Sequence, residues 1–190
     1  MLLEKRTNKA ALSLLYAAGE AVATVTEISI AAKRLLTTRF GTIEIDEELV
    51  ITLAEGVIGF EACRQFIVIH SDDETAFRWL QSLDEPAVAF PVVEPCDFRP
   101  DYAPTISDSD AALLGLNAAT PTLVFAIVTI PKNNPRGLTA NLLGPLIINA
   151  LTRQGKQVIV QDDEFTTRHL IVDELKRTAS LPPATKTQAA

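Results

Sequence analysis

The sequence predicts a mainly β protein, built as one small antiparallel β-barrel with one short helix. Three observations favour this fold class. Short runs rich in β-branched and aromatic residues recur between about residues 34 and 172. Most of the 11 prolines lie among these runs, where proline marks strand starts, edges and loops. No long helical pattern alternates with the strands, as a parallel sheet would require, and we favour a barrel over a two-sheet sandwich because closure removes exposed edges.

Composition divides the chain into three zones. Residues 1–33 are rich in Ala and predict an N-terminal helical extension. Residues 34–172 are rich in Val, Ile, Phe and Thr and form the barrel domain, and residues 173–190 form a polar C-terminal tail. An alternative is that the extension is not native and that the natural start lies near Leu35 or Leu36.

The individual elements follow from local patterns. Residues 42–46 alternate apolar and polar side chains, and Gly41 suggests a turn from a strand at residues 35–39, so the domain begins with a hairpin. A short helix after Ser107 is favoured because Ser107 can cap it and Gly115 can end it in the left-handed conformation. A later tight hairpin is expected with Gly155 at the turn. Further strands are predicted at residues 50–53, 66–70, 77–81, 88–92, 122–130, 138–142, 146–152 and 157–161.

The charge is acidic and unevenly distributed. Residues 1–39 carry six basic and three acidic side chains, a net charge of +3, so the remainder of this −7 chain carries −10. A surface of that sign repels a phosphate backbone, which argues against direct nucleic-acid binding. It attracts a basic protein and speeds the encounter with one.

Cysteine content and hydropathy limit the cellular compartments in which the protein can lie. Cys63 and Cys96 have no zinc-site spacing, and we interpret both as buried, reduced thiols. No apolar run approaches the roughly 18 residues that a bilayer span needs, so we expect a protein that does not span a membrane. The alternative is an exported β-barrel binding module, because basic residues precede an apolar stretch and residues 21–23 have the A-x-A shape of a cleavage site.

Candidate chemical groups are few. His70 precedes an acidic triplet at residues 72–74, and His169 follows another at residues 162–164. Either set has metal-ligand chemistry, but neither has a recognised ligand spacing, and acidic triplets after strands are typical of solvated loops. Neither cysteine has the surroundings of a nucleophile. We therefore expect no catalysis, no cofactor and no metal.

One aromatic cluster is a candidate partner-binding site. It begins at Trp79 and ends in a proline-stiffened stretch that contains Phe98, Asp101 and Tyr102. Aromatic rings on a stiff loop lose little entropy on binding, which suits a binding hot spot. The alternative interpretation is that Phe98 and Tyr102 plug the end of the barrel.

A second candidate is the segment of residues 129–142, where an expected loop is flanked by strand-like runs. Asn141 is its candidate binding residue. The alternative interpretation is structural, because an Asn side chain can satisfy backbone groups at a bulge near Gly144.

Together these clusters resemble the flagellar assembly factor FliW family, in order and with comparable spacing over about residues 36–171. The chain departs from the family at Ala54 and Ile58, where members usually carry proline. The stretches that carry the resemblance are residues 38–41 (TRFG), 55–61 (EGVIGFE), 79–84 (WLQSLD), 89–92 (AFPV), 100–102 (PDY), 127–131 (IVTIP), 138–142 (LTANL), 148–150 (INA) and 155–158 (GKQV).

The resemblance implies a small cytoplasmic β-barrel without enzymatic activity. It also implies two protein partners, flagellin and the translational regulator CsrA, which such factors bind in alternation. When flagellin is exported, the freed factor binds CsrA and relieves its repression of flagellin mRNA. For this chain we expect a monomer when free, with no contact to membrane or nucleic acid, and with Trp79, Phe98, Asp101, Tyr102 and Asn141 as candidate contacts.

Overall fold

The computed structural model describes residues 33–70, 77–134 and 137–179. The predicted N-terminal helical extension, the acidic residues 72–74 and most of the predicted polar tail lie outside these ranges. The strands are β1 (Lys33–Thr37), β2 (Gly41–Ile45), β3 (Ile51–Leu53), β4 (Gln65–His70), β5 (Arg78–Ser82), β6 (Ala89–Val93), β7 (Thr122–Thr129), β8 (Thr139–Ala140), β9 (Leu146–Asn149), β10 (Gln154–Gln157) and β11 (His169–Leu170). The helices are α1 (Asp108–Leu113), α2 (Ile171–Ala179) and two 3-10 turns, Glu47–Leu49 and Pro95–Asp97.

Seven strands close into a ring, which confirms the predicted barrel. The order β7-β6-β5-β4-β3-β10-β9 returns to its start because β9 also pairs with β7, for example at Val124 and Ile147. All of these pairs are antiparallel except β10 with β3. The ring strands therefore have neighbours on both sides, which removes the exposed edges that invite aggregation.

The remaining strands lie outside the ring. β1 and β2 form their own hairpin, as predicted, with Leu36 opposite Thr42. β8 pairs with the last residues of β7, and β11 pairs with β8 through His169 and Ala140. The end of β7 thus carries a short three-stranded extension away from the ring.

The side chains form two separate cores because successive residues of a strand point to opposite faces. Along β7, Phe125 belongs to the core inside the ring, and the neighbouring Ala126 belongs to a second core on the outer surface. The outer core is covered by residues 93–116 and 158–171, and we call this region the outer layer. The inner core consists of Ile51, Leu53, Val57, Cys63, Phe66, Leu80, Val92, Phe125, Leu146 and Ile148.

The short helix α1 has the predicted boundaries. The Ser107 side chain accepts a hydrogen bond from the Asp110 backbone N–H at 3.1 Å, and Gly115 follows the helix with φ of +62°. Both features satisfy groups that a helix end leaves unpaired.

The predicted turn at Gly155 is wrong. The turn between β9 and β10 lies before Gly155, at residues 150–153. Its left-handed residue is Arg153, with φ of +59°. Gly155 lies inside β10 and faces the inner core, where a Cβ atom would stand 2.8 Å from side-chain carbons of both Ile148 and Leu53. The glycine is required for close packing in the barrel wall and not for a turn.

Two further predictions differ from the structure. Cys63 is buried as expected, but Cys96 is exposed on the 3-10 turn Pro95–Asp97. Residues 173–179, assigned to the polar tail, belong to helix α2, whose charged residues contact the outer layer. Among the described residues no helix has the length and apolar character that a membrane crossing requires.

Candidate functional site

One end of the barrel is an open cavity of about 500 Å³, lined by large apolar side chains together with several polar ones. It lies where β6 begins and where β7 and β10 end, so the inward-facing residues of these strands form its wall. We call it the apolar mouth. It is lined by Val57, Ile58, Phe90, Ile127, Thr129, Asn141, Leu143, Gly144, Gln157, Ile159, Thr167 and Arg168.

The rim of the apolar mouth exposes large hydrophobic side chains to solvent. Ile58 is 58% exposed and Ile159 is 55% exposed. Phe60 is 44% exposed and meets Phe90 of the wall edge to face, with 5.0 Å between ring centroids. Single exposed hydrophobic residues are common, but several around one concave opening indicate a binding site.

Two amides shape the floor of the apolar mouth. Gln157 accepts a hydrogen bond from the Ile58 backbone N–H at 2.9 Å and donates one to the Gly144 carbonyl oxygen at 3.0 Å. The side-chain oxygen Oδ1 of Asn141 accepts from the Gly144 backbone N–H at 2.8 Å. Asn141 thus has the bulge-satisfying contact expected as its structural alternative, and it also lines the candidate site.

Sequence reasoning missed Gln157, which it treated only as the start of a strand. The residue is 8% exposed, and it joins two turns that are far apart in the sequence. The available signal was a polar side chain within the GKQV stretch that carried the family resemblance.

Trp79 lies elsewhere, on the outer face of β5. The Arg39 guanidinium stacks 3.7 Å from the Trp79 ring centroid, and the Phe40 ring meets it edge to face at 5.8 Å. Such a cation over an aromatic face is stabilising. Trp79 therefore holds the β1–β2 hairpin against the barrel.

Phe98 and Tyr102 are buried, contrary to the interpretation that they form an accessible binding site. Phe98 is 3% exposed and Tyr102 is 6% exposed, and both belong to the outer core. The Tyr102 hydroxyl donates to the Leu142 carbonyl oxygen at 2.7 Å, and its ring packs against Phe165 at 4.8 Å. Burial raises the pKa of Tyr102, so the phenol stays protonated and remains a donor. These rings are therefore structural, but they lie in the outer core and do not plug the end of the barrel.

Asp101 joins the outer layer to helix α2. Its two carboxylate oxygens accept hydrogen bonds from the Arg177 guanidinium at 3.0 and 2.5 Å, and these bonds hold the pKa of Asp101 below its usual value. The buried Arg99 lies beside this pair and forms ion pairs with Glu164 and with Glu174 at 3.3 Å.

Glu174 is the carboxylate at the centre of this contact. Burial favours its neutral form, but hydrogen bonds from His169 and Arg177 outweigh burial and keep the pKa of Glu174 below its usual value. His169 presents Nδ1 to Glu174 at 3.0 Å, while its Nε2 accepts the Thr166 backbone N–H at 2.8 Å. His169, Glu174 and Asp101 are therefore engaged in structural contacts.

The surface around this contact is acidic, and we call it the acidic flank. Asp97 and Asp163 are exposed and have no ion-pair partner within residues 33–70, 77–134 and 137–179. Within the same ranges no group of three or more His, Cys, Asp or Glu side chains has an arrangement suited to a metal ion. The flank consists of Asp97, Asp101, Asp163, Glu164 and Asp173.

The five predicted contact residues are thus not brought together. Trp79 lies under the hairpin, and Asn141 lines the apolar mouth. Asp101 lies on the acidic flank, with Phe98 and Tyr102 buried beneath it.

Comparison with known proteins relates these features to a family. The family model described as FliW protein matches residues 34–171. The chain belongs to the FliW family of flagellar assembly factors. It is 38% identical to the flagellar assembly factor FliW of Leptospira biflexa serovar Patoc over 141 residues, which are 74% of this chain and 92% of that protein. It is 40% identical to the protein of the same name from Caldanaerobacter subterraneus subsp. tengcongensis, over 77% of this chain and 97% of that protein.

The fold is also that of a solved FliW structure. A crystal structure of the flagellar assembly factor FliW superposes with a TM-score of 0.66 at 30% sequence identity, over 73% of this chain and 96% of that chain. Several stretches that carry the resemblance to FliW meet at the apolar mouth. They contribute Ile58, Phe90, Ile127, Asn141 and Gln157 to its lining.

Proposed function

We propose that this FliW-family chain binds flagellin and CsrA in alternation in the cytoplasm, without catalysing a reaction. The observation that carries the proposal is the apolar mouth, an open cavity with exposed Ile58, Phe60 and Ile159 at its rim. Free flagellin occupies the chain while it accumulates. When flagellin is exported, the chain becomes available to CsrA, and flagellin synthesis resumes.

The apolar mouth suits an apolar segment of flagellin. The ring is closed, so its strands have no free edge to which a partner strand can be added. An amphipathic helix that inserts its apolar side chains into the mouth uses the exposed rim instead, and such grooves commonly recognise helices. We therefore favour a helix in the mouth over an added strand.

The acidic flank suits CsrA, which is a basic RNA-binding protein. Opposite charges raise the rate of encounter and fix the orientation of the complex. Asp97 and Asp163 are free of ion pairs within the described ranges, so their charges are available to a basic partner. Because the same charge disfavours phosphate, RNA itself is not a partner of this surface.

A pair of substitutions at the rim tests the proposal. Ile58→Ser with Ile159→Ser removes two exposed apolar side chains and is matched by the control Leu151→Ser, since Leu151 is 73% exposed outside the mouth. Burial of one such side chain contributes about 1.5–3 kcal/mol, so we expect flagellin affinity to fall at least tenfold in the double variant. The control is expected to bind like the original chain.

Calorimetric titration with purified flagellin and with CsrA measures both affinities. Asp97→Asn with Asp163→Asn is expected to slow CsrA association, mostly at low salt, and to leave flagellin binding unchanged. An original chain that binds neither protein at tens of micromolar would overturn the proposal.

A further inference from the structure

The opposite end of the barrel is a second, chemically different cavity of about 330 Å³. It lies where β4 and β6 end and where β5, β7 and β10 begin, so the barrel interior separates it from the apolar mouth. Its apolar wall includes Ile51, Val68, Leu123 and Phe125, which face into the ring. We call it the basic mouth because two arginines line it.

Arg153 is a cation of the basic mouth that has no ion-pair partner within the described ranges. It is half-buried, and its guanidinium has no hydrogen-bond or ion-pair partner among the residues that the structure describes. The other arginine, Arg78, lies over the Phe125 ring with 5.6 Å to the centroid and is paired with Glu94. With two arginines and one glutamate, the lining therefore has a net positive charge next to an apolar floor.

The backbone at Arg153 is strained. Its φ of +59° is the one positive value among non-glycine residues in the described ranges. The residue closes the turn of residues 150–153, where its N–H donates to the Asn149 carbonyl oxygen at 2.8 Å. Glycine adopts this conformation without strain, whereas a residue with a Cβ atom does not. Strain retained at a position that glycine would relieve points to a role for the arginine side chain.

From these observations we infer that the basic mouth binds an apolar ligand that carries one carboxylate. The apolar chain enters between Val68, Leu123 and Phe125, and the carboxylate pairs with the Arg153 guanidinium. Arginine is suited to this because its planar fork binds both carboxylate oxygens. Two sources share this chemistry, a free fatty acid and the C-terminal residue of a protein chain. The inference does not depend on the proposed flagellin and CsrA binding, because the cavity is at the other end of the barrel.

Calorimetry on the full chain tests the inference with octanoate, octylammonium and two tripeptides, acetyl-Gly-Leu-Leu as the free acid and as the amide. We expect saturable binding of a carboxylate at one site, and binding of octylammonium and of the amide at least tenfold weaker. Arg153→Gly is expected to weaken the carboxylate at least tenfold, because a hydrogen-bonded charge is lost. The same substitution is expected to raise the melting temperature by ~2–4 °C, because it relieves the strained φ.

Arg64→Gly is the matched control, because Arg64 is an exposed arginine that precedes β4 at the opposite end of the barrel. It is expected to leave carboxylate binding unchanged. Stronger binding of octanoate identifies a free fatty acid as the source, and stronger binding of the free-acid tripeptide identifies a chain terminus. Equal binding of octanoate and octylammonium overturns the inference, as does carboxylate binding that survives Arg153→Gly. Absence of carboxylate binding at millimolar concentration also overturns it.

Discussion

Substitutions of Tyr102 test whether the outer layer is a core or a binding surface. Tyr102→Phe removes the hydroxyl that donates to the Leu142 carbonyl oxygen, and Leu142 is fully buried. An unsatisfied buried acceptor costs about 1–3 kcal/mol. Tyr102→Ala also removes a ring that packs against Phe165, and deleting a buried aromatic side chain costs about 3–5 kcal/mol. We expect the free energy of unfolding to fall by these amounts.

Urea denaturation followed by circular dichroism measures these losses. Fluorescence of Trp79, the single tryptophan of the chain, provides a second probe. Phe60→Ala is the matched control, because Phe60 is 44% exposed at the apolar mouth, and about 1 kcal/mol is expected. The control should weaken flagellin binding, while folded Tyr102→Phe should keep it. A Tyr102→Ala chain that loses less than about 1 kcal/mol but no longer binds a partner would refute the reasoning.

Two further predictions concern packing and pH. Gly155→Ala is expected to lower the free energy of unfolding by about 1–3 kcal/mol, because the added Cβ would stand 2.8 Å from carbons of Ile148 and Leu53. Urea denaturation measures the loss, and a loss below about 0.5 kcal/mol would contradict the close packing. The lowered pKa values of Asp101 and Glu174 mean that the folded chain binds fewer protons there, so the contact between α2 and the outer layer is expected to weaken as the pH falls below about 4.5. Hydrogen exchange of the α2 amides measures this weakening. Asp101→Asn is expected to reduce its dependence on pH. Protection of these amides that is unchanged at pH 3.5 would be the contrary result.

Much of the fold followed from local patterns. The alternation at residues 42–46 identified the first hairpin, and Ser107 and Gly115 bounded α1, because each signal depends on the backbone of its own segment. The turn at residues 150–153 could not be found this way. A glycine in a sequence indicates either positive φ or close packing, and only the side chains across the barrel wall show which one applies at Gly155.

The candidate site was less accessible from the sequence. An amide near a Gly-Pro pair suggests a bulge, and Asn141 makes that structural contact while also lining the apolar mouth. Its role in binding stays a prediction. For Phe98 and Tyr102 the sequence leaves two interpretations open, a binding loop and a plug at the end of the barrel, because a proline-rich stretch without strand character fits both. Their burial depends on the outer core, which forms only when β7 presents a second apolar face to residues 93–116. That requires both faces of one strand to be covered, a property of the tertiary fold.

Two partners exclude each other when their sites overlap or when both displace the same element of the protein. In the second case, the coupling free energy comes from contacts of that element that differ between the two bound states. The segment of residues 141–144 connects the two proposed sites. Asn141 and Gly144 line the apolar mouth, whereas Leu142 is buried in the outer layer and accepts the Tyr102 hydroxyl. A helix that pushes this segment outward from the mouth therefore changes the packing beneath the acidic flank. Under the proposed function, flagellin in the mouth and CsrA on the flank exclude each other through this segment without sharing a contact residue.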